Sequence, residues 1–253
     1  MGRTLHTVTD IPADDLKPSF RSDVTVELVK HSAADSDVLW AARVSTAGEQ
    51  SLDELKKDPE RSKGLINYLM RDRHGSPFEH NSMTFFISAP IFVFREFMRH
   101  RVGWSYNEES GRYRELQPVF YVPAESRKLV QEGRPGKYRF VEGTSGQQEL
   151  VGRVMEETYV HAYEAYQEML AAGVAREVAR SVLPVGLFSS MYATCNARSL
   201  MHFLGLRTQH ELAKVPSFPQ REIEMVGEKM EEAWAGLMPL THAAFNANGR
   251  MAP

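Results

Sequence analysis

The sequence predicts an α+β fold in which strands are few and helices many. Strict alternation of apolar and polar residues is confined to short stretches, chiefly 24–31 and 82–88, whereas apolar positions at helical spacing recur along most of the remaining chain. Nothing repeats, no tract is of low complexity and no linker divides the chain, so residues 23–253 are expected to form a single domain. Residues 1–22 show no period and are expected as a flexible N-terminal arm.

Each element has its own signal. Val24, Val26 and Leu28 alternate with Thr25 and Glu27 as in a half-buried strand. A helix is expected over 35–45, capped by Asp35 or Ser36, with Val38, Leu39 and Ala42 on one face. Ser51 and Glu54 have capping-box spacing, and helix then runs to Asp72 with a break near Pro59. Gly75 and Pro77 make 74–80 a turn, "SMTFFIS" alternates, and Pro90 opens a helix over 91–99. Residues 114–146 read as irregular around a short hairpin. Val151, Val154, Thr158, Ala162, Ala165 and Met169 then keep a helical stripe that Gly173 closes. A short helix over 174–184 stops at Pro184, and 187–195 reads as a strand. Asn196 caps a helix over 197–207, and a last long helix sets Ile223, Val226, Met230, Trp234 and Leu237 on one side.

Composition narrows the chemistry. With 253 residues, 42% of them apolar, the chain can build a core without disulfides. Its net charge of −3 makes it no general seeker of polyanions, so anion binding has to come from local clusters. Cys195 is the only cysteine, which excludes a disulfide framework and any multi-cysteine metal site; its apolar setting reads as core. Residues 1–22 lack the apolar segment of a signal peptide, and the longest apolar run, 85–94, is broken by Ser88 and Pro90 and too short for a bilayer. A soluble protein of the reducing cytoplasm, with no membrane partner, is expected.

The cations gather in "RHRVGWSYNEESGRY" (99–113) and in two helical pairs, Arg95 with Arg99 and Arg176 with Arg180. Like charges four apart repel by roughly 0.2–0.5 kcal/mol per pair, so the pairs invite an explanation. One reading is that Glu96, Glu177 and other acids neutralise solvated faces. The other is that guanidinium forks converge on phosphate or carboxylate groups of a ligand. Arg207 supports the second, because it ends the apolar stripe of Leu200, Phe203 and Leu204 and so points inward, where a cation needs a partner. Arg198 and His202 share another face of that helix, near its capped amino terminus. None of the nine histidines falls in an HExxH pattern, and His74 and His80 merely flank a turn, so no metal is expected. Ser105 and Ser110 lack a GxSxG elbow, and neither GxGxxG nor a P-loop is present. An Arg-rich nucleic-acid-binding module, with Trp104 and Tyr106 stacking on bases, is the alternative that the negative net charge opposes.

The stretch 99–113 resembles the signature of the flavin-dependent thymidylate synthase family, an Arg-His-Arg followed by a short loop ending Asn-Glu-x-Ser-x-Arg-Tyr. "AARVS" (41–45), "HGSPFEH" (74–80), "APIFVFREFMRHR" (89–101), "AREVARSVLP" (175–184) and "NARSLMHFLGLR" (196–207) resemble the family's other segments, in the family's order. The loop between Arg101 and Ser110 is one residue longer than the family pattern usually has, an insertion placed near Gly103 and Trp104. The resemblance implies an α+β fold with a central antiparallel sheet flanked by helices, and a homotetramer with active sites between subunits. It implies methylation of dUMP to dTMP, with FAD as cofactor, methylenetetrahydrofolate as carbon donor and NADPH as reductant. FAD contacts are implied for Ser45, His74, Arg99, His100, Arg101, Glu108, Asn196, Arg198 and His202. For dUMP they are implied at Glu96, Arg99, Ser110, Gly111, Arg112, Arg180 and Arg207, with Arg112 and Arg180 on the phosphate and Arg207 as the catalytic residue at the uracil edge. No enzyme thiol takes part.

Overall fold

The structure, a computed structural model, describes residues 17–48, 58–134 and 137–253. In chain order its elements are β1 (Ser19–Arg21), β2 (Thr25–Ser32), α1 (Asp35–Ala47), α2 (Pro59–Arg71), β3 (Ser82–Pro90), α3 (Ile91–Phe97), β4 (Trp104–Glu108), β5 (Val119–Tyr121), β6 (Val130–Arg134), β7 (Lys137–Val141), α4 (Ser145–Ala171), α5 (Arg176–Ala179), β8 (Phe188–Cys195), α6 (Ala197–Arg207), α7 (Arg221–Leu237) and α8 (Pro239–Ala247). Short 3-10 turns stand at Ser76–Glu79 and Arg180–Val182. The expected capping box of Ser51 and Glu54 lies outside the described residues. So does most of the expected arm, of which Ser19–Arg21 forms a strand.

The described residues fall into two units, one holding the residues up to Ser22 with Ser110–Phe188, the other Asp23–Glu109 with Ser189–Pro253. The second unit is built on a four-stranded sheet in the order β2-β3-β8-β4, with the β2–β3 and β8–β4 pairings antiparallel. Alternation in the sequence is why one face is dry: Met83, Phe85, Ile87 and Ala89 of β3 are all buried, as are Met191, Ala193 and Cys195 of β8. Residues 188–195 are thus the expected strand. A register shift between Leu28 and Lys30 lets β2 follow β3.

Helices close over the dry face. Ile223, Val226, Met230 and Trp234 of α7 join Leu200, Met201, Phe203 and Leu204 of α6 in the core, as their spacing predicts. The cap of α1 differs from expectation: Ala34 stands at the N-cap, and the Asp37 carboxylate accepts from its backbone N–H at 2.8 Å. Asp35 is engaged elsewhere, accepting from the Leu240 and Thr241 backbone N–H groups and the Thr241 hydroxyl at the start of α8. Beyond α8, Arg250 is buried and gives its guanidinium to both oxygens of Glu231 at 2.6 and 2.7 Å, to Asn246 Oδ1 at 2.8 Å and to Thr208 Oγ1 at 3.0 Å.

In the first unit β1 and β5 pair in parallel and β6 and β7 form a hairpin. α4 starts earlier than its aliphatic stripe indicated, at a capping box in which Thr144 Oγ1 accepts from Gln147 N and Gln147 Oε1 accepts from Thr144 N. Its buried face is carried by Tyr159, Tyr163 and Tyr166, while Val154 and Thr158 of the expected stripe are exposed. Phenol rings cover more area than valine or alanine, and Tyr159 stacks on Phe120 at 4.8 Å. The helix expected over 174–184 shrinks to α5 and the 3-10 turn after it.

Candidate functional site

In the unit built on the four-stranded sheet, the Arg-His-Arg triplet is the exit of α3, a seven-residue helix whose last carbonyls, Glu96 O and Phe97 O, accept from Arg99 N at 3.2 Å and His100 N at 2.8 Å. The Tyr106 hydroxyl, arriving from β4, donates to Phe97 O at 3.1 Å and to His100 O at 2.9 Å. Burial raises its pKa, so the phenol keeps its proton. The turn then closes through Gly103 at φ +70°, where an added Cβ would lie 2.2 Å from Ser199 Oγ, and Ser199 Oγ donates to Val102 O at 2.9 Å. The stretch where the insertion was expected, Gly103 and Trp104, is thus a tight turn leading into β4. Trp104 and Tyr106 stack on each other at 5.7 Å and pack, partly buried, against the core.

Arg207 ends α6 and turns inward, its side chain only 17% exposed. Its NH1 pairs with Glu96, and its Nε donates to His100 Nε2 at 3.1 Å. Burial, then the charge of Arg207 and of His202, pushes the His100 pKa down to about 4, so the imidazole is neutral at pH 7 and can accept this bond. Burial also raises the Glu96 pKa and Glu222 adds to the rise, against the attraction of Arg207.

At the other end of α6, Asn196 Oδ1 accepts from Ser199 N and Asn81 Oδ1 accepts from Ala197 N. Arg198 lies across Gly75, where a Cβ would stand 2.5 Å from its guanidinium carbon. It donates to Pro253 O and pairs with Glu79. The exposed His74 ring lies 5.6 Å from that of Tyr68. His202, its pKa lowered by burial and by Arg198 and Arg73, lines a groove of about 330 Å³ with Arg73, Leu206 and Met251. The side chains of Arg99 and Arg101 are exposed and make no hydrogen bond or ion pair with a described residue. Glu108, on β4, accepts from the Ser189 hydroxyl at 2.8 Å. Ser45 is exposed on α1, its hydroxyl donating to Ala42 O of its own helix.

The remaining predicted residues cluster in the other unit. Ser110 O accepts from the backbone N–H of Tyr113 and Arg114, and Ser110 Oγ from Arg112 N. The Arg180 stem packs on Gly111, where a Cβ would stand 3.2 Å from its Cδ. Arg112 pairs with Glu177 at 2.9 Å on the surface. Arg180 has no such partner among the described residues. Sequence reasoning missed Glu79, Tyr106 and Ser199 as partners of the site. Each lies inside a segment that carries the family resemblance, Glu79 in 74–80, Tyr106 in 99–113 and Ser199 in 196–207.

The sequence model of the family described as thymidylate synthase complementing protein matches residues 27–240. The chain belongs to this family. Among its relatives, the flavin-dependent thymidylate synthase of Streptomyces avermitilis is 92% identical over 97% of this chain and 100% of the relative. That of Tropheryma whipplei is 60% identical over 94% of this chain and 98% of the relative. The family fold is also seen in the UMP/dUMP methylase PolB from Streptomyces cacaoi bound with 5-Br dUMP, at 58% identity and a TM-score of 0.87 over 92% of this chain and 99% of that one. Among the described residues no cluster of His, Cys, Asp and Glu is suited to a metal, and no helix is long and apolar enough to cross a membrane. Cys195 is buried, which raises its pKa and leaves it without the thiolate a nucleophile needs.

Proposed function

We propose that this chain is a flavin-dependent thymidylate synthase that methylates dUMP to dTMP, with methylenetetrahydrofolate as carbon donor and NADPH as reductant. The observation that carries the reading is the Arg207 guanidinium, held by Glu96 and His100 beside the Arg-His-Arg turn. A fixed cation at the uracil edge stabilises negative charge on N3 and the carbonyl oxygens as C5 becomes nucleophilic. Arg112 and Arg180 take the dUMP phosphate, with Ser110 and Gly111 supplying backbone and hydroxyl groups.

The donors present fit a dinucleotide. Arg99 and Arg101 offer exposed guanidiniums without described partners, His100 keeps a free Nδ1–H, and His74, Asn196, Arg198 and His202 are further polar groups of the same unit. FAD, once reduced by NADPH, would supply the hydride and methylene-transfer chemistry; the residues would orient it and the pyrimidine. A cytoplasmic homotetramer with active sites at subunit interfaces completes the proposal.

The test is an absorbance spectrum of the purified protein together with NADPH oxidation assayed with dUMP, with UMP and without nucleotide. Bound flavin, dUMP-dependent oxidation and dTMP formation are expected, and Arg207→Ala keeps the flavin but loses most turnover. A colourless protein that takes up no FAD, or a flavoprotein that makes no dTMP, refutes the reading. Sedimentation of the holoenzyme tests the tetramer.

A further inference from the structure

We propose that His100 is the positioning residue of Arg207, its Nε2 accepting the guanidinium Nε–H and so fixing the plane of the cation, while Nδ1–H stays free to donate to a ligand. The inference rests on the catalytic reading of Arg207 given above.

A carboxylate alone holds the charge of a guanidinium but not its plane, since either oxygen can accept from several of its five N–H groups. Two partners on different edges remove that freedom. Arg207 has them: Glu96 takes NH1 and His100 Nε2 takes Nε–H. Its NH2 group has no described partner, so one edge of the fork is left to meet a planar ligand.

The imidazole is itself held. Its ring stands edge-on to Phe203 at 4.9 Å, and its backbone carbonyl accepts from Tyr106. Acceptance at Nε2 requires a neutral ring with its proton on Nδ1. The groups facing it, Arg207 and His202, both oppose a second proton. The central residue of the triplet thus joins a ligand donor on one nitrogen to the catalytic cation on the other.

Gln and Asn separate these two edges, because the Gln amide reaches the place of Nε2 and the Asn amide that of Nδ1. Turnover and bound flavin are compared for holoenzyme carrying His100→Gln and His100→Asn, beside wild type making dTMP in the same assay. The kcat of His100→Gln is expected within about tenfold of wild type, and that of His100→Asn about 100-fold down, the scale of a catalytic group misplaced by about 1 Å. Equal kcat values for the two variants, or a more active Asn variant, overturn the proposal while leaving the wild-type reaction standing. Nitrogen-15 NMR of wild-type holoenzyme gives a readout without substitution: His100 should carry its proton on Nδ1 at pH 7. A proton on Nε2 overturns the assignment.

Discussion

Replacing Arg250 by Met puts a number on what holds the end of the described chain. Arg250 is 1% exposed and makes four side-chain hydrogen bonds, two of them to Glu231, with its guanidinium carbon 4.9 Å from the Phe245 ring centre. Met fills a similar volume but leaves the Glu231 carboxylate, 16% exposed, without its cation. Breaking a buried pair from one side costs about 3–5 kcal/mol. For a chain of this size that is roughly 2–4 °C of Tm per kcal/mol, so a fall of roughly 6–20 °C is expected at pH 7. The pH dependence fixes the cause. Burial works to raise the Glu231 pKa, but hydrogen bonds from Arg250 and His242 win and hold it at about 2. A depressed carboxyl contributes stability that is complete above its ordinary value near 4.5 and is lost as pH falls towards about 2. The Tm difference between wild type and Arg250→Met should therefore shrink from pH 5 downwards. A difference below 2 °C at pH 7, or one that grows on acidification, refutes the account.

Further outcomes follow from single contacts. Gly75→Ala would push a methyl into the Arg198 guanidinium, a movable side-chain end, so flavin affinity measured by titration should weaken while Tm stays within a few degrees. Tyr106→Phe keeps the ring stack but strips a donor from Phe97 O and His100 O, costing about 1–3 kcal/mol by urea unfolding and lowering flavin affinity. Cys195→Ala should leave kcat within a factor of a few and cost on the order of 1 kcal/mol in packing; loss of turnover in a folded variant would restore a thiol mechanism.

What the sequence disclosed and what it hid divide by the range of the interaction. β3, the Asn196 cap and the inward turn of Arg207 were legible because alternation, capping and a 3.6-residue stripe are local. The pairs Arg198 with Glu79 and Arg112 with Glu177 join residues 119 and 65 positions apart, and spacing says nothing about such partners. On α4 the misreading was one of weighting. Following the aliphatic positions passed over Tyr159, Tyr163 and Tyr166, whose rings do the burying while their hydroxyls make them look polar. Asp35 was read as a cap for its own helix because the helix it serves, α8, begins about 200 residues later.

Arg207 and Arg250 show how geometry separates a cation left open on one edge from one that is fully engaged when sequence cannot. Both face a glutamate within the same unit. Arg250 has both terminal nitrogens fully engaged and almost no exposure, so nothing remains for a ligand and its loss falls on stability. Arg207 is held at Nε and NH1 only, which leaves its NH2 without a described partner. A guanidinium fixed on two edges and open on the third reorganises little when charge develops beside it, which is where electrostatic catalysis gains most.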